Sequence, residues 1–449
     1  MNPAAGPSSL LVRLPRGLLD PRLAVGFGAD ADGLVSLRLR IAAGQITAIE
    51  PLPAAAPPTA AGLPLALTPL VEPHAHLDKA FSAVAFPNRQ GTMAAAMAAN
   101  LREHGERSAE QVAERAERAL DRAWRNGLRA IRSHVDSLGP AAQPSWDALL
   151  EARQRWLGRV ELQLVAMAPV DHWLSPDGVA LARRVADGQG LLGGVIGPPY
   201  GQGLARRIGD REALLALLEL AERCGCGVDL HVDESDAYPG VGVALVAGLA
   251  LEQRRAVAIT CSHASSMGLL PARACDRLAD RLAEAEIAVV ALPTTNFWLL
   301  GRRLARTPWR RPLAPIRSLQ RAGVRLAIGG DNVQDPWYPG GDFDPIELLR
   351  LAAPLCQLMP WQRLGLAPFS TAAAAVLQLA WDGVVRVGAP ADLVLLGAGS
   401  WGELLARPPQ RRVLRGGQWL PPPEQELPSP LLFAPGPPPL PAHAPVSHG

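Results

Sequence analysis

Apolar and polar positions follow a regular rhythm through the central part of this chain. From about residue 68 to 335, short apolar runs of strand length alternate with longer stretches in which apolar residues recur at helical spacing. The apolar runs predict eight strands, at 68–76, 128–136, 160–168, 191–197, 227–234, 257–264, 287–294 and 325–331. The clearest helical patterns lie between them, at 108–124, 211–223 and 271–285. Alternation of this kind predicts parallel strands, and eight repeats favour an α/β fold of the closed (β/α)8, or TIM barrel, type.

An open, doubly wound sheet is the alternative arrangement for alternating strands and helices. Many sheets of that kind carry a G-x-G-x-x-G motif directly after the first strand. This chain has no such motif there. We therefore favour the closed barrel.

Two-residue alternation, the pattern of half-buried strands, returns at both ends of the chain. It occurs within residues 10–66, at 36–41 and 45–49, and again at 384–396 and 412–420. These runs predict a small β-sandwich domain formed jointly by the N- and C-terminal segments. The predicted domains are 1–67 (first part of the small β-domain), 68–375 (barrel), 376–420 (second part of the small β-domain) and 421–449 (a proline-rich tail without fixed structure).

Composition narrows the class of protein. Apolar residues make up 48% of the chain and charged residues 19%, which is typical of a soluble globular protein. The net charge of +2 gives no reason to expect nucleic acid or a membrane surface as a partner. No apolar run is long enough to span a bilayer, and no signal peptide is evident at the N-terminus. Five cysteines without a paired pattern favour the reducing cytoplasm.

Histidines concentrate at the predicted strand ends, where barrel enzymes carry their chemistry. Five of the nine histidines lie there: His74 and His76 after the first strand, then His134, His231 and His263. Three imidazoles and one carboxylate, from His74, His76, His231 and Asp331, make a reasonable ligand set for one divalent metal ion, Zn or Fe. Such an ion lowers the pKa of water and supplies hydroxide at neutral pH.

Two further polar residues at these strand ends suit proton transfer. Glu234 follows His231 by three residues, which places a carboxyl group near the metal but outside its ligand set. His263 is suited to hold the attacking water or to stabilise a developing oxyanion, and the alternative for it is a purely structural role.

Taken together, several short motifs resemble the cytosine deaminase branch of the amidohydrolase superfamily. The motifs, spread over roughly residues 10 to 420, are HAHLD at 74–78, HVDE at 231–234, SH at 262–263, DNVQDPWYP at 331–339 and GAPADL at 388–393. The resemblance implies one divalent metal ion, zinc or iron, held by His74, His76, His231 and Asp331. It also implies a glutamate proton shuttle at Glu234 and a catalytic histidine at His263.

The single lysine of the chain bears on the number of metal ions. Many two-metal relatives carry a bridging lysine at the end of the fourth strand, where this chain reads GVIG at 194–197. A one-metal site follows from that difference. The lysine that is present, Lys79, either binds an anionic group of the substrate or forms a salt bridge with Asp78.

Two departures from the family pattern argue against cytosine itself as the substrate. Asn332 stands where cytosine deaminases have a second aspartate, and an amide brings donors where a carboxylate only accepts. The stretch 167–173 after the third strand also lacks the glutamine that binds the pyrimidine. Trp173, Trp298 and Trp337 are candidates for the walls of a pocket that holds a flat ring.

These patterns predict a metal-dependent amidohydrolase that acts on a small molecule. The expected reaction is hydrolytic deamination of an amino-substituted nitrogen heterocycle by metal-activated hydroxide, with Asp331 taking up the proton of water and Glu234 as the proton shuttle. The alternatives are hydrolysis of a cyclic amide or of an N-alkylamino triazine-like ring and, in another class, a non-catalytic metal- or ligand-binding protein. Asn332, Lys79 and Trp337 are the predicted substrate-binding residues, and a homo-oligomer is possible.

Overall fold

Fifteen strands and fourteen α-helices make up the part of the chain that the computed structural model describes, which is residues 6–52, 62–197, 204–303 and 305–421. The strands are β1 (Ser9–Pro15), β2 (Leu34–Ala42), β3 (Gln45–Pro51), β4 (Leu65–Leu67), β5 (Leu70–Ala75), β6 (Leu128–Asp136), β7 (Glu161–Met167), β8 (Leu191–Ile196), β9 (Val228–Val232), β10 (Ile259–His263), β11 (Ala288–Ala291), β12 (Leu326–Ile328), β13 (Leu393–Leu396), β14 (Arg411–Arg415) and β15 (Gln418–Trp419).

The helices lie between and after the strands of the central region. They are α1 (Pro21–Ala24), α2 (Met93–Glu106), α3 (Ala109–Asn126), α4 (Ala142–Arg155), α5 (Pro176–Asp187), α6 (Leu204–Cys224), α7 (Val241–Gln253), α8 (Ala272–Glu284), α9 (Pro293–Leu299), α10 (Ile316–Ala322), α11 (Pro345–Leu355), α12 (Arg363–Leu366), α13 (Thr371–Val376) and α14 (Trp401–Ala406). None of the described helices is both long and apolar enough to cross a lipid bilayer.

Strands β5 to β12 form the predicted barrel. Each pairs in parallel with its neighbours in chain order, and each lies within the bounds predicted from the sequence. The ring closes between Ala75 and Asp331, which form a parallel bridge next to the last strand. The N–H of Asp331 donates to the carbonyl of His74 at 3.0 Å across this closure. The closing contact therefore joins two of the predicted metal ligands.

The remaining strands form the small β-domain, and both ends of the chain contribute to it as predicted. Its seven strands run in the order β15-β14-β13-β4-β1-β2-β3. The strands from the two ends of the chain are joined by β4, which pairs with both β1 and β13. The domain boundaries themselves stay a prediction. The predicted tail at 421–449 lies outside the described residues apart from Pro421.

Local signals explain where the long helix α3 begins and ends. The Ser108 hydroxyl accepts from the N–H of Gln111, and the Gln111 side chain accepts from the N–H of Ser108, which is a capping box. The helix ends at Gly127, whose φ of 89° lies in the left-handed region. A Cβ at Gly127 would come within 2.4 Å of the Val394 side chain. Glycine is therefore required where the barrel meets the small sheet.

Candidate active site

The barrel closes around a group of buried imidazoles and one carboxylate. His74, His76, His231, His263 and Asp331 stand at the carboxyl ends of their strands, and each is at most 6% exposed. His76 Nε2 lies 3.2 Å from Asp331 Oδ1, and His74 Nε2 lies 3.6 Å from the same oxygen. The ligand atoms of His74, His231 and His263 lie within 4.8 Å of one another. The structure thus brings the four predicted metal ligands together.

The hydrogen bonding of this group fits a divalent metal ion. His74 Nε2, His76 Nδ1, both ring nitrogens of His231 and both carboxylate oxygens of Asp331 are buried without a hydrogen-bond partner among the described residues. Polar atoms buried in this way are costly unless something else satisfies them. Imidazole nitrogens and carboxylate oxygens are the donors that zinc or iron accepts.

Electrostatics favour the neutral imidazole, the form that binds metals. Burial, and after it the charge of neighbouring histidines, lowers the pKa of His74, His231 and His134 well below the ordinary value. His134, which stacks on His74 at 3.8 Å between ring centroids, is a strand-end histidine that the sequence did not assign to the ligand set. Its two nitrogens also lack a hydrogen-bond partner among the described residues.

A buried chain of polar groups orients His74 from behind. His74 Nδ1 lies 2.9 Å from the Ser262 hydroxyl, which donates to Asp229 Oδ1 at 2.8 Å. Arg132 Nη1 in turn donates to Asp229 Oδ2 at 2.8 Å. Since the hydroxyl proton goes to Asp229, the hydroxyl accepts from Nδ1–H of His74 and leaves Nε2 free to face Asp331. Asp229 and Arg132 are buried within β9 and β6 and were not predicted as site residues.

Two of the site residues have unusual backbone conformations. His263 has a φ of 70° and Asp331 a φ of 66°, in the left-handed region that residues with a Cβ seldom adopt. Strained residues of this kind cluster at functional sites, where the surrounding structure holds them in place. Here His263 is the last residue of β10 and Asp331 comes shortly after β12, and both side chains contribute to the shared site.

Glu234 is held at the site by its neighbour in sequence. The carboxylate of Asp233 accepts from the N–H groups of Gly242 and Val243, at 2.9 and 3.0 Å, at the beginning of α7. This contact fixes the loop that carries Glu234, whose Oε2 lies 3.7 Å from His263 Nε2. Burial, and next to it the negative charge of Asp331, raises the pKa of Glu234 well above its usual value. The glutamate is thereby favoured in its protonated form.

His263 is oriented by a residue that the sequence analysis did not single out. Asn296 Nδ2 donates to His263 Nδ1 at 2.9 Å, which leaves the proton of the neutral ring on Nε2. Burial lowers the pKa of His263 to about 4. A ligand atom of His263 lies within 4.8 Å of one from Glu234 and one from Asp331. The neutral ring therefore directs an N–H donor at the place where these three side chains meet.

A cavity of about 390 Å³ opens onto this site. Helix α2 forms one wall with Met93, Met97 and Leu101, and the apolar stretch 167–169 at the end of β7 forms another. Trp337 also lines the cavity, as predicted, whereas Trp173 is a core residue whose indole N–H donates to the carbonyl of Gly193. Helix α2 belongs to the loop after β5 and was not predicted as a wall.

Comparison with known proteins identifies the family. A model described as "Amidohydrolase family" matches residues 93–420, which is well over half of the chain. The chain belongs to the amidohydrolase family. It is accordingly a metal-dependent hydrolase that acts on carbon–nitrogen bonds other than peptide bonds. The non-catalytic alternative is therefore set aside.

Three relatives describe the branch in which this amidohydrolase lies. It is 33% identical over 403 residues to a pterin deaminase of Rhizobium rhizogenes, covering 88% of this chain and 90% of the relative. It is 24% identical over 334 residues to N-isopropylammelide isopropyl amidohydrolase of Pseudomonas sp., covering 73% and 78% of the two chains. The structure of 5-methylcytosine deaminase from Klebsiella pneumoniae liganded with 5-fluorocytosine aligns with a TM-score of 0.76 at 26% identity, over 92% of this chain and 97% of that one.

Lys79 of the amidohydrolase lines the cavity, but its ammonium group already has a partner. Nζ donates to Asp136 Oδ1 at 2.8 Å, and the residue is 1% exposed. Asp78, the partner considered from the sequence, instead accepts from Arg107 at 2.8 Å. Arg107 also donates to Asp136 at 3.0 Å, so the three ion pairs form one buried network beside the cavity. This network fixes the end of α2 against the barrel.

Asn332 also lines the cavity and is 4% exposed. Its amide nitrogen donates to Asp335 Oδ2 at 2.7 Å. Trp337 is tied to α2, because its indole N–H donates to Asn100 Oδ1 at 3.3 Å. All three predicted substrate-binding residues thus lie at the cavity, and contact with substrate stays a prediction for each.

Proposed function

We propose that this amidohydrolase is a one-metal deaminase that removes the amino group of 2-amino-4-oxopteridine, the pterin ring, by hydrolysis. The observation that carries the proposal is the convergence of Glu234, His263 and Asp331 within 4.8 Å at the wall of the cavity. A carboxyl group, an N–H donor and a carboxylate at one point are what a deamination needs. The 33% identity to a pterin deaminase supports the choice of ring.

The proposed site would hold its metal ion, zinc or iron, through His74, His76, His231 and Asp331. When bound, the ion supplies water of lowered pKa, and so hydroxide at neutral pH. The site residues are proposed from the geometry and the donor set described above.

The side chains of the protein have separate tasks in the proposed reaction. Asp331 takes up the proton of the attacking water, whose oxygen forms a bond to the carbon that carries the amine. Glu234 gives its proton to the adjacent ring nitrogen that lacks hydrogen, takes the remaining proton of the added hydroxyl group, and passes that proton to the amine. The proton held by Asp331 then returns to Glu234 and restores the starting state. His263 Nε2–H donates to the oxygen as negative charge develops on it. The carbon–nitrogen bond breaks, ammonia leaves, and the product is the 2,4-dioxo ring.

The walls of the cavity support a flat heterocycle larger than cytosine. A cavity of about 390 Å³ lies in the range of pockets that enclose a whole small molecule. Its sides are apolar, from Met93 and Met97 on one wall and residues 167–169 on the other, which suits the faces of fused rings. Glu234, His263 and Asp331 also line the cavity, and the amine would react beside them.

Released products test the proposal. Metal-loaded protein is incubated with pterin, cytosine and N-isopropylammelide, and ammonia and isopropylamine are measured separately. We expect ammonia from pterin at a kcat/KM well above that for the other two compounds. Isopropylamine from N-isopropylammelide as the main product would favour the alkylamine alternative. The Glu234→Gln variant serves as the control, since it should keep its metal ion and lose turnover.

We also propose that the protein works in the cytoplasm. All five cysteines are free, which suits the reducing cytoplasm. Association into a homo-oligomer stays a prediction, and size-exclusion chromatography with light scattering tests it.

A further inference from the structure

Asp335 is a buried carboxylate whose orientation is set by the backbone around it. Its Oδ1 accepts from the N–H groups of Trp337 and Tyr338, at 2.8 and 3.1 Å. Its own N–H donates to the carbonyl of Tyr338 at 3.0 Å, and the residue is 1% exposed. The turn at 335–338 therefore holds Oδ2 in a fixed direction, and that direction is toward Asn332.

The contact with Asp335 decides which end of the Asn332 amide faces the cavity. An ionised carboxylate only accepts hydrogen bonds, so the amide nitrogen of Asn332 must point at Oδ2, 2.7 Å away. The carbonyl oxygen Oδ1 then lies at the other end of the amide. Within the described ranges, no residue donates a hydrogen bond to it. Asn332 lines the active-site cavity beside Asp331 and also a smaller pocket next to it, so its carbonyl oxygen is the end of the amide that stays available to a ligand.

This geometry changes the expectation drawn from the sequence. An amide in place of the second aspartate of cytosine deaminases was expected to bring donors to the pocket. Because Asp335 takes up the donor end, Asn332 offers an acceptor, as an aspartate would, but without the negative charge. A neutral ring with an N–H at its edge suits such a group better than a cationic one.

We propose that Asp335 is a positioning residue that sets substrate specificity by holding Asn332 as a hydrogen-bond acceptor. The group it selects is a ring N–H next to the carbon that loses its amine. Pterin has such an N–H at N3. The choice of pterin as the ring rests on the proposed function. Asp335 itself does not touch substrate and acts through Asn332.

The test compares two pteridines that differ at that edge. Pterin carries N3–H, whereas 2,4-diaminopteridine has an N3 without hydrogen that only accepts. The KM for pterin and the Ki of 2,4-diaminopteridine as competitor give the preference of each variant. In Asp335→Asn, the two backbone N–H groups retain the new side-chain oxygen, so its NH2 group faces Asn332. The Asn332 amide then turns over and presents a donor to the cavity.

The wild type should prefer pterin, and Asp335→Asn should reduce that preference by about five- to tenfold, the net effect of one well-formed hydrogen bond. Asp342→Asn is the matched control. It makes the same chemical change in the same loop, but Asp342 accepts from Arg122 and not from Asn332, so the preference should not change. The double variant Asn332→Asp with Asp335→Asn restores an acceptor at the cavity and should restore the preference for pterin.

The outcomes separate the inference from the function on which it rests. A preference for pterin that persists in Asp335→Asn, with metal content unchanged, would overturn the inference alone. Failure of the double variant to recover the preference would also overturn it, because the reversed pair restores the acceptor. Wild-type protein that neither deaminates nor binds either pteridine would overturn the proposed function and this inference with it.

Discussion

Replacement of Ser262 by alanine tests whether the buried chain behind His74 controls metal binding. The Ser262 hydroxyl connects His74 Nδ1, at 2.9 Å, to Asp229 Oδ1, at 2.8 Å, and the residue is fully buried. Alanine removes both hydrogen bonds without adding bulk. The ring of His74 then loses the contact that fixes its tautomer and its orientation.

The magnitude follows from the groups that lose a partner. The Nδ1–H of His74 is left unsatisfied, and Asp229 keeps only the contact of its other oxygen with Arg132, at 2.8 Å. Two such losses are worth about 2–4 kcal/mol in the free energy of unfolding. Loss of a partner that orients a metal-ligating histidine lowers metal affinity by about 10–100-fold. Both effects should appear in the same variant.

Competition with a chelator measures the metal affinity, and urea unfolding of the metal-free protein measures stability. Ser266→Ala is the matched control, because Ser266 is equally buried and its hydroxyl accepts from the N–H of Gly240 at 3.1 Å, away from His74. We expect the control to lose stability and to keep wild-type metal affinity. Equal metal affinity in Ser262→Ala and the wild type would refute the reasoning.

Three further substitutions test other parts of the site. Asp233→Ala removes the buried cap of α7 and should lower the free energy of unfolding in urea by at least about 1 kcal/mol. Because the same loop carries the proton shuttle Glu234, kcat should fall as well, and an unchanged kcat would contradict that link. Lys79→Met leaves Asp136 with Arg107 as its cationic partner and should lower the free energy of unfolding by up to about 3 kcal/mol, measured with urea. A variant as stable as the wild type would show that the Lys79–Asp136 pair makes no net contribution to stability. Asn296→Asp replaces a donor to His263 by an acceptor and so moves the ring proton to Nδ1. The variant should have a kcat lower by about 10²–10⁴-fold with little change in KM. A normal kcat would contradict the role of His263 Nε2–H as a donor in the reaction.

The barrel could be predicted from the sequence because its strands leave a strong local signal. Buried parallel strands read as short apolar runs, and the amphipathic helices between them have a different period. The ends of strands such as β5 and β10 carried an equally local signal, since histidines are conspicuous there. The strand order of the small domain was not predictable, because it depends on the pairing of β4 with strands from both ends of the chain.

The parts of the site that could not be predicted from the sequence depend on contacts between elements that are distant along the chain. Ser262 meets Asp229 only because β10 pairs with β9 in a particular register, and no local pattern reports that register. Asn296 lies on the short helix α9 and meets His263 across 33 positions of sequence. The orientation of the Asn332 amide is likewise set by a turn, through Asp335. Residue type and strand position suggest which side chains are present, and tertiary contacts decide which atoms they present.

Anomalous scattering from crystals of metal-replete protein tests the central claim most directly. We expect one peak per chain, surrounded by His74, His76, His231 and Asp331, with an absorption edge that identifies zinc or iron. Two peaks, or a peak bound by other residues, or none in protein that deaminates pterin, would contradict the one-metal site on which the proposed chemistry depends.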